Sequence, residues 1–206
     1  MGGDRDKAGA VRIAGISGSR REGSYTRMAV ATALRGAAES GAETHLVDLR
    51  DYDLPFADAS DAEPPDLRRL RAAIKQADGV ILGTPEYHGS LSGVLKNALD
   101  LLGFDEFEGK MVGLVGVSGG AMGAFNALNE LRNIGRALHA WVVPEQAAIA
   151  EAWKVFDESG AVKNQQLEAR LREVGRQVAQ FARLHKCAAA NEFLKTWEEA
   201  TPNPGG

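Results

Sequence analysis

Residues 11–27, "VRIAGISGSRREGSYTR", run from a short apolar, β-branched segment into a loop and then directly into a new periodicity. Val11–Ile16 reads as a strand. Met28, Ala31, Leu34 and Ala38 then recur at helical spacing. A strand that passes through a glycine-serine loop into a helix is the first half of a βαβ unit, so this stretch argues for a parallel sheet. Its loop is crowded with hydroxyls and positive charge: Ser17, Ser19, Ser24, Tyr25 and Thr26 lie beside Arg20, Arg21 and Arg27. Such a composition at the end of a strand needs a reason.

The alternation continues along the chain. Glu43–Leu49 reads as a second strand. Arg50–Pro65, acidic and proline-bearing, reads as a surface loop. Leu67, Leu70, Ile74 and Ala77 mark a second helix. Gly79–Thr84 is a third strand, stopped by Pro85. Leu91, Val94, Leu95, Ala98, Leu99 and Leu102 mark a third helix, and Lys110–Val117 a fourth strand. Met122, Phe125, Leu128, Leu131 and Leu138 carry a fourth helix. His139–Pro144 is the fifth strand, and Leu167, Leu171, Val174, Val178 and Phe181 form a stripe near the C-terminus. Five strands with intervening helices predict a five-stranded parallel sheet with helices on both faces, a three-layer α/β sandwich. The expected division is a tail over 1–10, one domain over 11–186, and a partly helical or loose tail over 187–206.

Bulk properties narrow the function. With 206 residues, the chain can bury a substantial core. A net charge of −4 and the lack of a long basic block argue against nucleic-acid binding. No run reaches the length of a membrane span, and "MGGDRDKAGA" lacks the apolar core of a secretion signal. One cysteine, Cys187, leaves no internal disulfide to form, which suits a cytoplasmic location.

The loops after strands one, three and four fall at the same edge of the expected sheet, where open α/β sheets bind ligands. The first suits a phosphate monoester. Helix amides and the positive dipole end would face it, with Ser19, Ser24 and Thr26 adding hydroxyls and Arg21 a charged fork. Neither a Walker ending nor a dinucleotide G-x-G-x-x-G is present. The plainer reading is a serine-rich helix cap with solvated arginines. The second loop, "TPEYHGSLSG", offers the flat face of Tyr87 and the polar edge of His88, which suits a planar heteroaromatic ring. Glu86 is an expected ion-pair partner and Lys96 a surface residue. The plainer readings are a packed surface tyrosine and a turn histidine. The third loop, Ser118-Gly119-Gly120, brings bare backbone that could hydrogen-bond the edge of a ring. Loops at the opposite edge carry no such pattern.

These motifs resemble the NADPH-dependent FMN reductases of the flavodoxin-like fold, over about Val11 to Leu184. "GSRREGSYT" is similar to the family's G-S-x-R-x-x-S, which places its arginine on Arg21 and its phosphate contacts on Ser19, Ser24, Tyr25 and Thr26. "PEYHGSLSGVLKNALD" is similar to P-E-Y-N-x-S-x-P-G-x-L-K-N-A-x-D, with His88 for asparagine and Ser92 for proline. The resemblance implies that Pro85, Glu86, Tyr87, His88 and Gly89 run beside the isoalloxazine ring. "PEYHG", "VSGGAMGAFNALNELRNIGR" and "PEQAAIAEAWKVFDESG" also resemble the organoarsenical-resistance branch; arsenical oxidation is not carried over from it. The implied enzyme passes hydride from NADPH (or NADH) to bound FMN and then to a small-molecule acceptor such as a quinone, free flavin, chromate or azo compound. No catalytic side chain and no metal are needed. The family implies a homodimer or homotetramer.

Two other classes remain open to the sequence. "GVSGG", residues 116–120, fits the G-x-S-x-G elbow of serine hydrolases with Ser118 as nucleophile. Its weakness is the histidines: His139 opens a strand at the wrong edge, and His185 ends a helix. A flavodoxin-like electron carrier without catalysis is the other alternative, although the charge is mild and the first loop carries arginine.

Overall fold

The computed structural model describes residues 10–57 and 63–186. Of the expected tails, 1–10 and 187–206, all but residue 10 lies outside the described residues. In chain order the elements are β1 (Arg12–Ser17), α1 (Tyr25–Glu39), β2 (Glu43–Asp48), α2 (Pro65–Lys75), β3 (Gly79–Tyr87), β4 (Ser90–Leu91), α3 (Gly93–Asp100), α4 (Phe104–Phe107), β5 (Met111–Val117), α5 (Phe125–Ala137), β6 (Trp141–Ile149), α6 (Ala152–Val155) and α7 (Gln165–His185). Five strands form a parallel sheet in the order β2-β1-β3-β5-β6. The two-residue β4 folds back antiparallel on the end of β3. After β2 the chain crosses to the far side of β1, so the strand order reverses between β1 and β3. That gap is the switch point of a flavodoxin-like α/β sandwich.

Strand side chains alternate between two cores. Val11 and Ile13 of the first strand region, with Met111, Val115 and Val117 of β5, meet α1 and α7. Ala14, Ile16, Val112 and Leu114 meet α2, α3 and α5 on the other face. The close fit of α1 against α7 corrects the sequence-based stripe. Only Leu34 of the four expected α1 positions is buried; Ala29, Val30, Ala33 and Ala37 are the buried apolar residues instead. Small residues win because α1 packs on both the sheet and α7. A Cβ on Gly36 would run into the Arg172 carbonyl, and one on Gly175 into that of Ala33. Likewise Met122, ahead of α5, and Phe125, its first residue, are exposed, leaving Leu128 and Leu131 to pack.

Pro85 does not stop β3, which runs on to Tyr87 with Pro85 opposite Val117. The Gly83 carbonyl faces β1, where it accepts from Gly18 N at 2.8 Å. By the two-residue alternation Pro85 faces the same side, beyond the last paired residue of β1, Ser17. Its missing N–H therefore breaks no ladder bond. The fifth strand also outruns its expected proline. β6 is at the sheet edge, and a bulge sets Val142 opposite Val112 and Gln146 opposite Leu114. Pro144 lies within the bulge. His139 precedes β6 in a left-handed turn (φ 58°) rather than opening the strand.

Candidate active site

The strand ends and helix starts converge on a cleft of about 500 Å³ at the C-terminal edge of the sheet. Its wall includes Ser19, Arg21, Ser24, Tyr25 and Thr26 from the first loop, Pro85, Glu86 and Tyr87 from β3, and Gly119 from the third loop. The structure thus brings together parts of all three loops that sequence reasoning singled out.

The first loop is built to present donors. Ser24 N-caps α1, its Oγ accepting from Arg27 N at 3.3 Å. Ser19 Oγ accepts from Arg21 N at 3.4 Å. Each hydroxyl acts within the fold as an acceptor and keeps its own proton to donate. The first turn of α1 has no acidic residue, so nothing on the helix itself answers the positive dipole end. The three arginines part company. Arg27 pairs with the buried Asp48 at 3.1 Å, which also holds Arg50. Arg20 is exposed outside the cleft wall, and Arg21 is in it. Tyr25 stacks on Phe156, with ring centroids 5.6 Å apart and planes at 11°.

The second loop is anchored instead. Glu86 is not an ion-pair partner: its Oε2 accepts from Ala127 N at 3.0 Å, supplying to α5 the N-terminal cap that Ala124 cannot. Glu130 of α5 accepts from Ser90 Oγ at 2.6 Å, which ties down β4. Ser92 Oγ donates to the Gly18 carbonyl at 2.6 Å and accepts from Leu95 N at 3.1 Å, locking the second loop to the first and capping α3. His88 (φ 52°) and Gly89 (φ 79°) form the turn between β3 and β4, outside the cleft wall. Lys96 is a surface residue paired with Asp100.

In the third loop Gly119 lines the cleft, and a Cβ on it would meet nothing within 4 Å. Ser118 and Gly120 stand outside the wall. Ser118 Oγ accepts from Gly120 N at 3.1 Å. His139 and His185 line a cleft at the opposite edge, together with Trp141. The structure therefore gives no support to Ser118 as a hydrolase nucleophile.

A fourth segment, which the sequence reading missed, completes the wall with Ala152 and Trp153. It follows β6, whose length was underestimated by stopping at Pro144. Glu151 in a left-handed conformation (φ 42°) turns the chain there, and Ala152 N donates to the Ser118 carbonyl at 3.0 Å. The available signal was the short apolar run Ala147-Ala148-Ile149 after Pro144, a proline that an edge strand with a bulge tolerates.

Sheet order and cleft position define a flavodoxin-like α/β protein whose ligand site lies at the topological switch point. The model of the family described as NADPH-dependent FMN reductase matches residues 11–154. The chain belongs to that family; it is an NAD(P)H-dependent FMN oxidoreductase with FMN and NAD(P)H as its cofactors. Among its relatives is the NADPH-dependent FMN reductase ArsH of Shigella flexneri, 35% identical over 84% of this chain and 69% of the relative. Another is the FMN-dependent NADPH-azoreductase of Staphylococcus saprophyticus, 34% identical over 82% of this chain and 93% of the relative. In structure it is similar to FerB, a flavoenzyme NAD(P)H:(acceptor) oxidoreductase of Paracoccus denitrificans. The TM-score is 0.69 at 26% identity, covering 85% of this chain and 99% of FerB. No described helix is long and apolar enough to cross a membrane.

Proposed function

We propose that the cleft binds FMN with its phosphate on the first loop and its ring across the second and third, and that the enzyme reduces planar organic acceptors. The observation that carries this is the asymmetry of the cleft wall: hydroxyls, a guanidinium and helix amides at one end, Pro85, Tyr87 and open backbone at the other. That donor set fits a phosphate monoester. Ser19, Ser24, Thr26 and Arg21 hold it, assisted by the amides of Tyr25 and Thr26. Pro85, Glu86, Tyr87, His88 and Gly89 shape the bed of the ring, with the last two at its rim. The backbone of Ser118, Gly119 and Gly120 offers N–H groups to the edge of the ring. FMN, when bound, supplies the hydride chemistry between NADPH and the acceptor.

The acceptor class follows from the mouth of the cleft. Tyr87, Met122, Phe125 and Trp153 are all exposed around the adjoining loops. This favours flat, apolar acceptors: quinones, free flavin or azo compounds, the last in keeping with the named activity of the staphylococcal relative. Chromate, small and hydrophilic, would use the electrons without using these rings. The same exposed apolar groups suit burial against a second copy in a homodimer or homotetramer. The single cysteine agrees with a cytoplasmic enzyme.

The visible absorption spectrum tests the reading. Purified protein given FMN and desalted is expected to retain a flavin spectrum that bleaches when NADPH is added without oxygen. Retained flavin that does not bleach would indicate a carrier, and loss of all flavin on desalting would contradict a resident cofactor in the cleft.

A further inference from the structure

The N-terminal edge of the sheet, whose loops carry no pattern in the sequence, holds a second cleft of about 730 Å³. That size is within the ordinary range for small-molecule sites. Four chain segments meet there: the end of α2, the α4–β5 turn, the α5–β6 turn and the end of α7. It shares no residue with the FMN cleft.

Two features of its wall stand out. The first is aromatic. Trp141 opens β6 at the sheet edge with 52% of its surface exposed, and His185 tilts against it with centroids 5.9 Å apart. His139 stacks on Phe104 at 4.4 Å, held in a left-handed backbone that non-glycine residues adopt only at a cost. Among the described residues, the other two left-handed non-glycine residues, His88 and Glu151, each adjoin a residue of the FMN cleft wall. The second feature is charge. Of the wall's carboxylates, Asp78 pairs with Lys186 at 2.8 Å, and Glu108 Oε1 is within hydrogen-bond distance of the His139 ring at 3.1 Å. The cations are in excess. Arg136 makes no ion pair among the described residues. Lys110 gives two hydrogen bonds to the carbonyls of Ile74 and Lys75 at the end of α2, at 2.5 and 3.0 Å, which leaves one of its three N–H groups.

We propose that this second cleft binds a small planar aromatic carboxylate, paired by Arg136 and Lys110 and stacked on Trp141. The Arg136 fork matches a carboxylate in two parallel hydrogen bonds. The indole accounts for a flat, apolar body. A single negative charge suits the wall better than a phosphate dianion, because the carboxylates of Asp78 and Glu108 line the same cleft. Burial pushes the Lys110 ammonium down to about 8, so an entering anion meets a cation that the fold leaves poorly solvated.

The FMN-loaded enzyme, titrated calorimetrically with 2-naphthoate and with neutral 2-naphthamide, tests the proposal. The expected result is saturable naphthoate binding with Kd below about 1 mM. The amide should bind at least ~10-fold more weakly, and Arg136→Ala and Trp141→Ala should each weaken naphthoate ~10-fold. Both variants should keep wild-type NADPH oxidation, which shows that they fold and separates this site from the flavin. Arg21→Ala should leave naphthoate binding unchanged. The proposal is overturned by no saturable binding at 1 mM, by equal affinity for amide and carboxylate, or by binding that survives both variants. It is also overturned if naphthoate competes with NADPH and is lost with Arg21, since it would then occupy the FMN cleft.

Discussion

The first and second loops of the cleft treat their polar groups in opposite ways. Ser19 and Ser24 accept weak internal bonds of 3.3–3.4 Å, and Arg21 is an exposed residue in the cleft wall. In the second loop Glu86, Ser90 and Ser92 carry their side chains into bonds of 2.6–3.1 Å with α5, α3 and the first loop. Similar residue types are thus only loosely bonded in one loop and used to hold the fold in the other. Burial does not make the distinction, since Ser19 and Ser24 are only 4% and 6% exposed; the backbone groups around each hydroxyl do. Ser92 is 2% exposed and flanked by backbone groups that have no water to turn to, so its hydroxyl satisfies them.

Breaking the second loop should therefore be felt first as lost stability. Ser92→Ala removes an N-cap and leaves the Gly18 carbonyl unmatched. Urea unfolding should show a loss of about 3 kcal/mol, with weaker FMN binding following from the freed first loop. A stability change below 0.5 kcal/mol would erase the contrast. Breaking the first loop should do the reverse. Arg21→Ala is expected to weaken FMN binding ~30-fold, about 2 kcal/mol, by fluorescence titration, while the urea midpoint of the FMN-free protein stays put. If that midpoint falls instead, Arg21 belongs with the structural set.

Glu86 sharpens the comparison because it is in the cleft wall and in the fold at once. Glu86→Gln can still accept from Ala127 N but loses its charge at the α5 terminus. The expected stability loss is about 0.5–1 kcal/mol. FMN affinity should change less than for Arg21→Ala. A larger change in FMN affinity than in stability would move Glu86 into direct cofactor contact.

Sequence legibility follows the same division. Strand-to-loop transitions and phosphate-type donors are local patterns, and Arg21, the arginine that the likeness of "GSRREGSYT" to the family's loop singled out, is in the cleft wall. Which carboxylate caps which helix is not local: Glu86 and Ala127 are forty-one positions apart, and only the β3–α5 packing joins them. The α1 stripe was misread because a helix gripped on two sides buries alanine and glycine, which carry no amphipathic signal. Pro85 and Pro144 were read as strand stops by a rule that fails where the proline faces an unpaired side or a bulge. The second error hid Trp153 and the fourth wall of the cleft.

Lys110 carries the comparison to the opposite sheet edge. Desolvation lowers its pKa from 10.5 to about 8; Asp78 and Glu106 oppose the shift, and Lys75 adds to it. Below pH 8 the ammonium is charged in both folded and unfolded chains, and the cost of burying it is fully present. Between pH 8 and 10.5 the unfolded chain binds more protons than the folded one, so this contribution makes stability rise with pH. Lys110→Arg keeps the charge throughout that window and should lose the rise. Urea unfolding at intervals from pH 7 to 10 checks the difference in slope. Parallel curves for the two proteins would mean that Lys110 is solvated in the folded chain, and that its bonds to Ile74 and Lys75 do little for α2. A steeper wild-type curve would place Lys110 with Ser92 and Glu86, among the polar groups the fold uses for itself before any ligand arrives.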